Sequence, residues 1–138
     1  MILGIGVDIL SLARIEGVIS RRGAARLAAR ICSAREQAQF AALADNTSGA
    51  DTLARAQLRF LSARWAAKEA AYKALPFAVG WKDVELGYAP SGRPLLALVG
   101  GAGVDEARSG APRAISLLAT ISHDAGVLVA AVVAQEER

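Results

Sequence analysis

Residues 64–75 read RWAAKEAAYKAL, a stretch that combines alanines with two lysines, one arginine and one glutamate. It consists mostly of strong helix formers, so we predict a long helix over about 52–75 that ends before Pro76. Glu69 and Lys73 are four residues apart and therefore share one helix face. The small alanines around them allow another element to approach closely. The pattern predicts either a charged site on a tightly packed helix or a simple surface ion pair.

Arg64 and Lys68 form a second pair with the same spacing, rotated from the first. Two stacked cations repel each other unless an anion lies between them, so this pair favours a phosphate-bearing ligand. An apolar run at residues 2–9, ILGIGVDI, predicts a buried strand, and Asp8 stands near its end. Asp8 and Glu69 offer the hard carboxylate oxygens that Mg²⁺ prefers. From spacing alone, the simpler interpretation of Asp8 is a cap of the helix that begins near Ser11.

The composition predicts one domain spanning residues 1–138. The hydrophobic fraction is 54%, but much of it is alanine, so we expect oligomerisation to supply part of the stability. A net charge of +3 is too weak to indicate nucleic-acid binding. The single cysteine, Cys32, excludes an internal disulfide and is expected to be a buried helix residue. We expect no membrane span and no signal peptide, because the first residues already form a core strand.

The remaining patterns predict an α+β fold in which a mostly antiparallel sheet packs against a long central helix and shorter helices. Ser11 is a candidate N-cap, and Ser33 with Glu36 forms a capping box. Shorter helices are expected over about 12–22, 24–31 and 33–43, followed by a loop at 45–51. Strands are expected over 2–9, 84–88, 95–99, 114–122 and 127–134, with turns at 90–94 and 122–126 and a short helix around 104–108.

The only histidine lies in the sequence Ser122-His123-Asp124. Three consecutive residues cannot converge as nucleophile, base and orienting acid, so a hydrolase triad is excluded. The segment is expected to be a hairpin turn with a polar tip, or else a phosphate contact through the hydroxyl and the ring N–H. No spacing of Cys and His residues indicates zinc.

Basic residues concentrate on and near the first predicted helix, where Val18 provides an apolar centre. One interpretation is a solvated basic face. The other is a docking surface for an acidic helix, since a cationic rim around an apolar centre suits such a partner. The arginines are Arg14, Arg21, Arg22 and Arg26.

In its motifs and in the order of its predicted elements, the chain resembles the holo-acyl-carrier-protein synthase group of 4′-phosphopantetheinyl transferases. The resemblance rests on three blocks whose order and spacing cover nearly the whole chain, the second of them being highly specific. These blocks are GIGVDI at 4–9 with Arg14-Ile15, FLSARWAAKEAAYKA at 60–74, and ISHD at 121–124.

The resemblance implies an enzyme that transfers 4′-phosphopantetheine from coenzyme A to a serine of apo acyl carrier protein and releases adenosine 3′,5′-bisphosphate. It implies a homotrimer with active sites between subunits. It implies that Asp8 and Glu69 are the Mg²⁺ ligands and that Lys73 contacts the phosphates of coenzyme A. It also implies that coenzyme A is contacted by Arg64, Lys68, Gly92, Arg93, Pro94, Ser122 and His123. The acyl carrier protein would dock on Arg14, Arg21 and Arg22, with Val18 and Arg26 beside them.

Several points stay open. The family's glycine-rich segment after the lysine is replaced here by residues 76–80, PFAVG, so the loop over the pantetheine is expected to run differently. The general base is Glu69, Asp124 or a metal-bound water. The alternatives to the enzyme are a non-catalytic module that binds coenzyme A or a nucleotide, and an interaction protein with an acidic partner. The expected compartment is the cytoplasm, with the mitochondrial matrix as the alternative.

Overall fold

The computed structural model describes residues 1–100 and 114–137. The short helix predicted around 104–108 lies outside the described residues. The described elements follow one another as β1 (Ile2–Ser11), α1 (Leu12–Arg22), α2 (Ala24–Ile31), α3 (Ala34–Asn46), α4 (Ala50–Ala74), a 3₁₀ turn (Trp81–Asp83), β2 (Val84–Tyr88), β3 (Pro94–Leu98), β4 (Ile115–Asp124) and β5 (Val127–Glu136).

The strands form one antiparallel sheet in the order β1-β5-β4-β3-β2. The first strand of the chain therefore pairs with the last, and Asp8 lies opposite Ala130. The long helix α4 packs across one face of this sheet, mainly against β1 and β5. The predicted α+β class, with an antiparallel sheet and a long central helix, is confirmed. Within the described residues, no helix is long and apolar enough to cross a membrane.

Two glycines in β1 permit the close contact between strand and helix. A Cβ at Gly4 would lie 2.2 Å from the Ala74 carbonyl oxygen, and one at Gly6 would lie 1.8 Å from the Ala70 carbonyl oxygen. On the helix side, the alanines at 66, 67, 70 and 71 are fully buried. Small residues on both elements thus bring the two backbones together, as the alanine-rich pattern predicted.

The strand β1 is buried on one face only, which corrects the expectation of a fully buried strand. Leu10 faces α4 and is 1% exposed, whereas Ile5, Val7 and Ile9 point to the other side of the sheet and are 65%, 48% and 70% exposed. Alternate residues of a strand point to opposite faces, and α4 covers only one of them. Among residues 1–100 and 114–137, no element covers the opposite face of β1, which is apolar.

Two predicted loops are shorter than expected. The segment 45–51 is mostly helical, because α3 continues to Asn46 and α4 begins at Ala50. The side-chain Nδ2 of Asn46 donates to the Ala42 carbonyl at 2.9 Å, which is an additional contact in the last turn of α3. The second hairpin turns at Ala125 and Gly126 alone, with φ of 49° and 76°, which is the geometry of a tight two-residue turn.

The helix starts differ in how they are capped. The capping box of α3 is confirmed: the Glu36 amide donates to Ser33 Oγ at 3.2 Å, and the Ser33 amide donates to Glu36 Oε1 at 2.9 Å. Ser11 occupies the N-cap position of α1 but makes no side-chain capping hydrogen bond. Instead, the Leu12 amide donates to the Gly126 carbonyl at 2.9 Å, so the tip of the β4–β5 hairpin satisfies this helix start.

Candidate active site

Asp8 lies on the face of β1 that packs against α4, the same face as Gly6 and Leu10. Its carboxylate is largely shielded, with 16% side-chain exposure. The ammonium of Lys73 donates to the Val7 carbonyl at 2.8 Å and lies 3.3 Å from Asp8 Oδ1. The structure thus brings together an acid and a lysine that are 65 residues apart in the sequence.

Glu69 lies one helical turn before Lys73, about 6 Å along the axis of α4. It lines a pocket of about 270 Å³ together with Lys68, Tyr72, Val79, Gly80 and Trp81. Among the described residues, Lys73 forms its ion pair with Asp8, and no ion pair joins it to Glu69. The alternative of a simple surface pair between Glu69 and Lys73 is therefore wrong.

The oxygen atoms around Lys73 are of the kind that binds a hard cation such as Mg²⁺. The Lys73 ammonium beside Asp8 and the Val7 carbonyl shows that these oxygens accept a positive group. Within residues 1–100 and 114–137, no group of three or more His, Cys, Asp or Glu side chains encloses a metal site. An ion held by Asp8 and Glu69 would therefore take its other ligands from water or substrate, as Mg²⁺ usually does. Asp8 itself stands within the strand, since β1 continues to Ser11.

Lys68 lines the Glu69 pocket, but its ammonium is turned into the core, so its predicted contact with coenzyme A is not supported. Its side chain is 2% exposed and donates to the Ile31 carbonyl at 2.6 Å, to Glu36 Oε1 at 2.5 Å and to the Trp81 carbonyl at 2.8 Å. An ammonium group has three protons, and all three are used within the core. None remains to bind a phosphate.

Arg64 is likewise buried, with 5% exposure, and its Nε lies 3.5 Å from Glu36 Oε2. Its guanidinium stacks 3.4 Å from the Phe60 ring centroid. It also forms part of the wall of a groove of about 530 Å³, where Arg55 and Arg59 are the exposed cations. An anion entering this groove would meet those two arginines first, so the predicted direct contact of Arg64 with coenzyme A is not supported.

These three residues, Glu36, Arg64 and Lys68, form a buried charge cluster. Burial lowers the pKa of both cations, while the Glu36 carboxylate acts to raise it. Cys32 lies beside the cluster and is fully buried, just after α2 ends. Burial raises the pKa of its thiol to about 11, and the negative charge of Glu36 adds to the shift. The thiol is therefore neutral at physiological pH. The predicted burial of Cys32 is confirmed, but its predicted place in a helix is wrong, because it is the extended residue that follows α2.

Ser122, His123 and Asp124 belong to strand β4, not to a turn, and all three are exposed. Pairing continues to the last residue of β4 because the two-residue turn needs no further chain. His123 pairs with Leu128, and Leu128 pairs with Leu10, so His123 lies two strand spacings, about 10 Å, from β1. Within the described chain, it makes no contact with the Asp8–Lys73 pair.

The predicted turn is present and carries Gly92 and Arg93, whereas Pro94 is the first residue of β3. The Ala89 amide donates to the Arg93 carbonyl at 2.9 Å, and Gly92 has a φ of 85°. Leu96 pairs with Leu117, so this turn lies at the same end of the sheet as the last residues of β4. The turn, His123 and Asp8 therefore share one end of the sheet, but on different strands.

The predicted docking residues converge on one groove. Arg21, Arg22 and Arg26 line a groove of about 450 Å³ together with Val18, Leu27, Arg30 and Trp65. Arg14 lies beside it, with its guanidinium carbon 5.8 Å from the Trp65 ring centroid. The groove has a cationic rim and an apolar floor.

Sequence reasoning missed four residues at these places. Arg30 follows Arg26 at helical spacing, so continuing the arginine pattern through α2 would have found it. Trp65 and Trp81 stack at 4.9 Å between ring centroids, a contact that no local pattern reveals. The capping box predicts Glu36 as a helix cap, but no local signal shows that its carboxylate also contacts Lys68 and Leu86 in the core.

Comparison with known proteins places this geometry in a family. The family model described as the 4′-phosphopantetheinyl transferase superfamily matches residues 4–120. A holo-(acyl-carrier-protein) synthase of Anaeromyxobacter sp. (strain K) is 41% identical over 139 residues, covering 96% of this chain and 95% of the relative. The corresponding synthase of Desulforudis audaxviator is 38% identical, covering 97% of this chain and 93% of the relative.

Solved structures agree with the fold. The holo-(acyl-carrier-protein) synthase of Neisseria meningitidis has a TM-score of 0.74 at 26% identity, covering 98% of this chain and 99% of the neighbour. The Helicobacter pylori synthase in complex with coenzyme A has a TM-score of 0.67 at 30% identity, covering 95% and 99%. The family match, the near full-length relatives and the Asp8–Lys73 arrangement lead to one conclusion: the chain belongs to the 4′-phosphopantetheinyl transferase superfamily.

Proposed function

We propose that this chain transfers the 4′-phosphopantetheine group of coenzyme A to a serine of an apo acyl carrier protein. The serine hydroxyl gives its proton to the general base, and its oxygen forms a bond to the β-phosphorus. The bond from this phosphorus to the bridging oxygen of the nucleotide breaks, and adenosine 3′,5′-bisphosphate leaves. The observation that carries the proposal is the pairing of Asp8 with Lys73 beside the Glu69 pocket, in a chain of this family.

Each charged residue has a role that its position supports. Asp8 and Glu69 would hold Mg²⁺, which supplies charge neutralisation on the diphosphate when it is bound. Lys73 places a positive charge between β1 and α4, next to the Asp8 carboxylate and one helical turn after Glu69, where it can offset the charge that develops on the transferred phosphoryl group. Glu69 is the best-placed of the candidate bases on the chain itself, since Asp124 lies on β4, two strands away from β1.

Coenzyme A contacts are proposed at the same end of the sheet. The residues are Ser122 and His123 at the end of β4, with Gly92 and Arg93 in the adjacent turn and Pro94 at the start of β3, all near one another in the strand order. They are separated from Asp8 by about two or more strand spacings in the single chain. A second copy of the chain could bring one such surface to the Asp8 site of its neighbour.

The apolar face of the sheet opposite α4 supports self-association. Ile5 of β1, Val133 of β5 and Leu118 of β4 lie in one row across three strands, and Val7 and Ile9 extend this apolar surface along β1. Contiguous exposed apolar surface of this kind usually marks an interface. We propose a homotrimer built on this face, with active sites between subunits.

Val7→Lys is expected to convert the assembly to monomers, because a lysine placed in the apolar face would be buried without a partner. Sedimentation equilibrium should give three times the chain mass for the wild type and one chain mass for the variant. Ala38→Lys, which adds the same charge at an exposed position of α3, is the matched control and should remain trimeric. A monomeric wild type would contradict the proposed assembly.

The arginine groove of α1 and α2 is proposed as the docking surface for the acyl carrier protein. Its cationic rim favours an acidic helix, and its floor of Val18, Leu27 and Trp65 offers apolar contact to that partner. Arg14 extends the same surface beside Trp65. The groove and the Glu69 pocket share no lining residue, although Trp65 of the groove stacks on Trp81 of the pocket. Substitutions of the groove arginines are therefore expected to disturb carrier binding more than coenzyme A binding.

Reversing the charge of Arg14 and Arg21 to Glu is expected to raise KM for the carrier by about 10-fold or more, since each lost charge contact weakens association. KM for coenzyme A should change little. Steady-state kinetics with each substrate varied in turn would measure both values. Arg35→Glu, on the exposed side of α3, is the control. Equal changes in both KM values would argue against the docking surface.

The reaction itself is tested by incubating the protein with apo acyl carrier protein, coenzyme A and Mg²⁺ and weighing the carrier by intact-mass spectrometry. A gain of one phosphopantetheine group that EDTA abolishes is the expected result. Coenzyme A binding without transfer to any carrier would instead support the non-catalytic module. We propose the cytoplasm as the site of this reaction, with the mitochondrial matrix as the alternative, because the single buried thiol of Cys32 suits a reducing compartment.

A further inference from the structure

The buried charge cluster of Glu36, Arg64 and Lys68 has no role in the reaction described so far. It places two cations and one carboxylate in the core, where apolar residues of similar size are often as stable or more stable. Glu36 is 0% exposed and cannot touch a substrate. Stability alone does not favour such a cluster. We therefore expect it to serve by holding the neighbouring elements in a fixed arrangement.

Lys68 joins several elements at one atom. Its ammonium binds the carbonyl of Ile31 at the end of α2, Glu36 of α3 and the carbonyl of Trp81 just before β2. The second oxygen of Glu36 accepts the Leu86 amide of β2 at 3.0 Å. The cluster therefore holds α4 against α2, α3 and β2 at a single point.

The Lys68 ammonium lies next to the proposed active site at Glu69. Lys68 directly precedes Glu69 in α4, and both residues line the same pocket as Trp81. Trp81 also stacks against Trp65 of α4. The backbone that carries Glu69 and the pocket wall that faces it are thus fixed by the same ammonium group.

We propose that Glu36 is a positioning residue for phosphopantetheine transfer: by holding Lys68, it sets the position of Glu69 in α4 relative to the pocket wall at Trp81. The inference rests on the proposed function and adds a residue to it that touches neither substrate. The carboxylate is required because it balances the two buried cations and accepts hydrogen bonds from α4 and β2 at once. An amide in its place has one acceptor oxygen and no charge.

Glu36→Gln is the test, and Ser33→Ala is its matched control. Ser33→Ala removes the other half of the same capping box but leaves the contact between Glu36 and Lys68 in place. For Glu36→Gln we expect kcat per folded molecule to fall by about 10-fold to 100-fold, as for a small misplacement of a reacting group, with KM for the carrier unchanged. Ser33→Ala should lower thermal stability and leave kcat within about twofold of the wild type.

A second readout does not depend on activity. The chain has two tryptophans, and they form the Trp65–Trp81 stack, so near-ultraviolet circular dichroism reports on the pocket wall. We expect Glu36→Gln to change this signal and Ser33→Ala to preserve it. If the wild type itself transfers nothing, the proposed function fails, and the tryptophan signal alone decides whether Glu36 positions the wall.

Lys68→Met is the second variant, to be used if Glu36→Gln does not fold. It leaves one cation and one anion in the cluster, so the core stays balanced, but it removes the link to Ile31 and Trp81. The same loss of kcat and the same change in the tryptophan signal are expected. Wild-type kcat with an unchanged tryptophan signal in the folded variants would overturn the proposal, as would an effect on KM for coenzyme A alone.

Discussion

Replacing Glu69 with Gln is expected to reduce phosphopantetheine transfer by about 10²–10³-fold or more, because it removes a charged oxygen from the proposed metal site. The fold should persist, since Gln and Glu have similar helix propensities and Glu69 is only partly buried. Intact-mass assays of the carrier at increasing Mg²⁺ concentrations would measure both the loss of rate and any weaker dependence on the ion.

Glu85→Gln is the matched control for this experiment. Glu85 is also partly buried, but it lies in β2 opposite Ala97, away from Asp8. The control should retain wild-type turnover and Mg²⁺ dependence. Turnover of Glu69→Gln close to that of the wild type would contradict the assignment of Glu69 to the metal and to the reaction.

Replacing Gly6 with Ala is expected to cost about 3 kcal/mol or more of unfolding free energy. The new Cβ would lie 1.8 Å from the Ala70 carbonyl oxygen, 2.8 Å from its carbon and 3.0 Å from the Ala74 nitrogen. All three are backbone atoms of α4, so no side-chain rotation relieves the overlap. The helix would have to move away from β1, and this movement would separate Lys73 from Asp8.

Urea unfolding of Gly6→Ala should be compared with Gly87→Ala. Gly87 is also a strand glycine, but an added Cβ there meets no atom within 4 Å among the described residues. The control should therefore change the stability by less than about 1 kcal/mol. Equal stability of the two variants would show that the contact between β1 and α4 is looser than described. Transfer activity of any folded Gly6→Ala protein should fall as well, since the Asp8–Lys73 pair depends on the same contact.

Local patterns predicted the elements well because the signals for them are short-range. The helices α1 and α2 have the predicted bounds, the capping box starts α3, and the strand at 84–88 is as predicted. The errors fall where a local signal was overridden: polar residues at 45–51 suggested a loop, but the chain continues as helix on both sides of a three-residue link at 47–49. In the same way, Ser122 to Asp124 suggested a turn, but strand pairing extends through all three.

The site was only partly predictable from the residues. Glu69 and Lys73 share a face by spacing, but no spacing shows that Lys73 lies against Asp8, 65 residues away in the sequence. Lys68 and Glu69 are consecutive, and alanines surround both, so no apolar stripe shows which of them faces the core. The structure turns Lys68 inward to Glu36 and leaves Glu69 at a pocket.

The amino-acid sequence by itself determined the α+β class, the alanine-rich helix, the position of most elements and the residue types that a Mg²⁺-dependent phosphoryl transfer needs. These follow from backbone propensity, periodicity and capping, which act over a few residues. Only the tertiary structure decided which charges are buried, which face of the sheet α4 covers and that Lys73 pairs with Asp8. Those outcomes depend on contacts between residues far apart in the chain, where close packing and the cost of burying a charge select one arrangement.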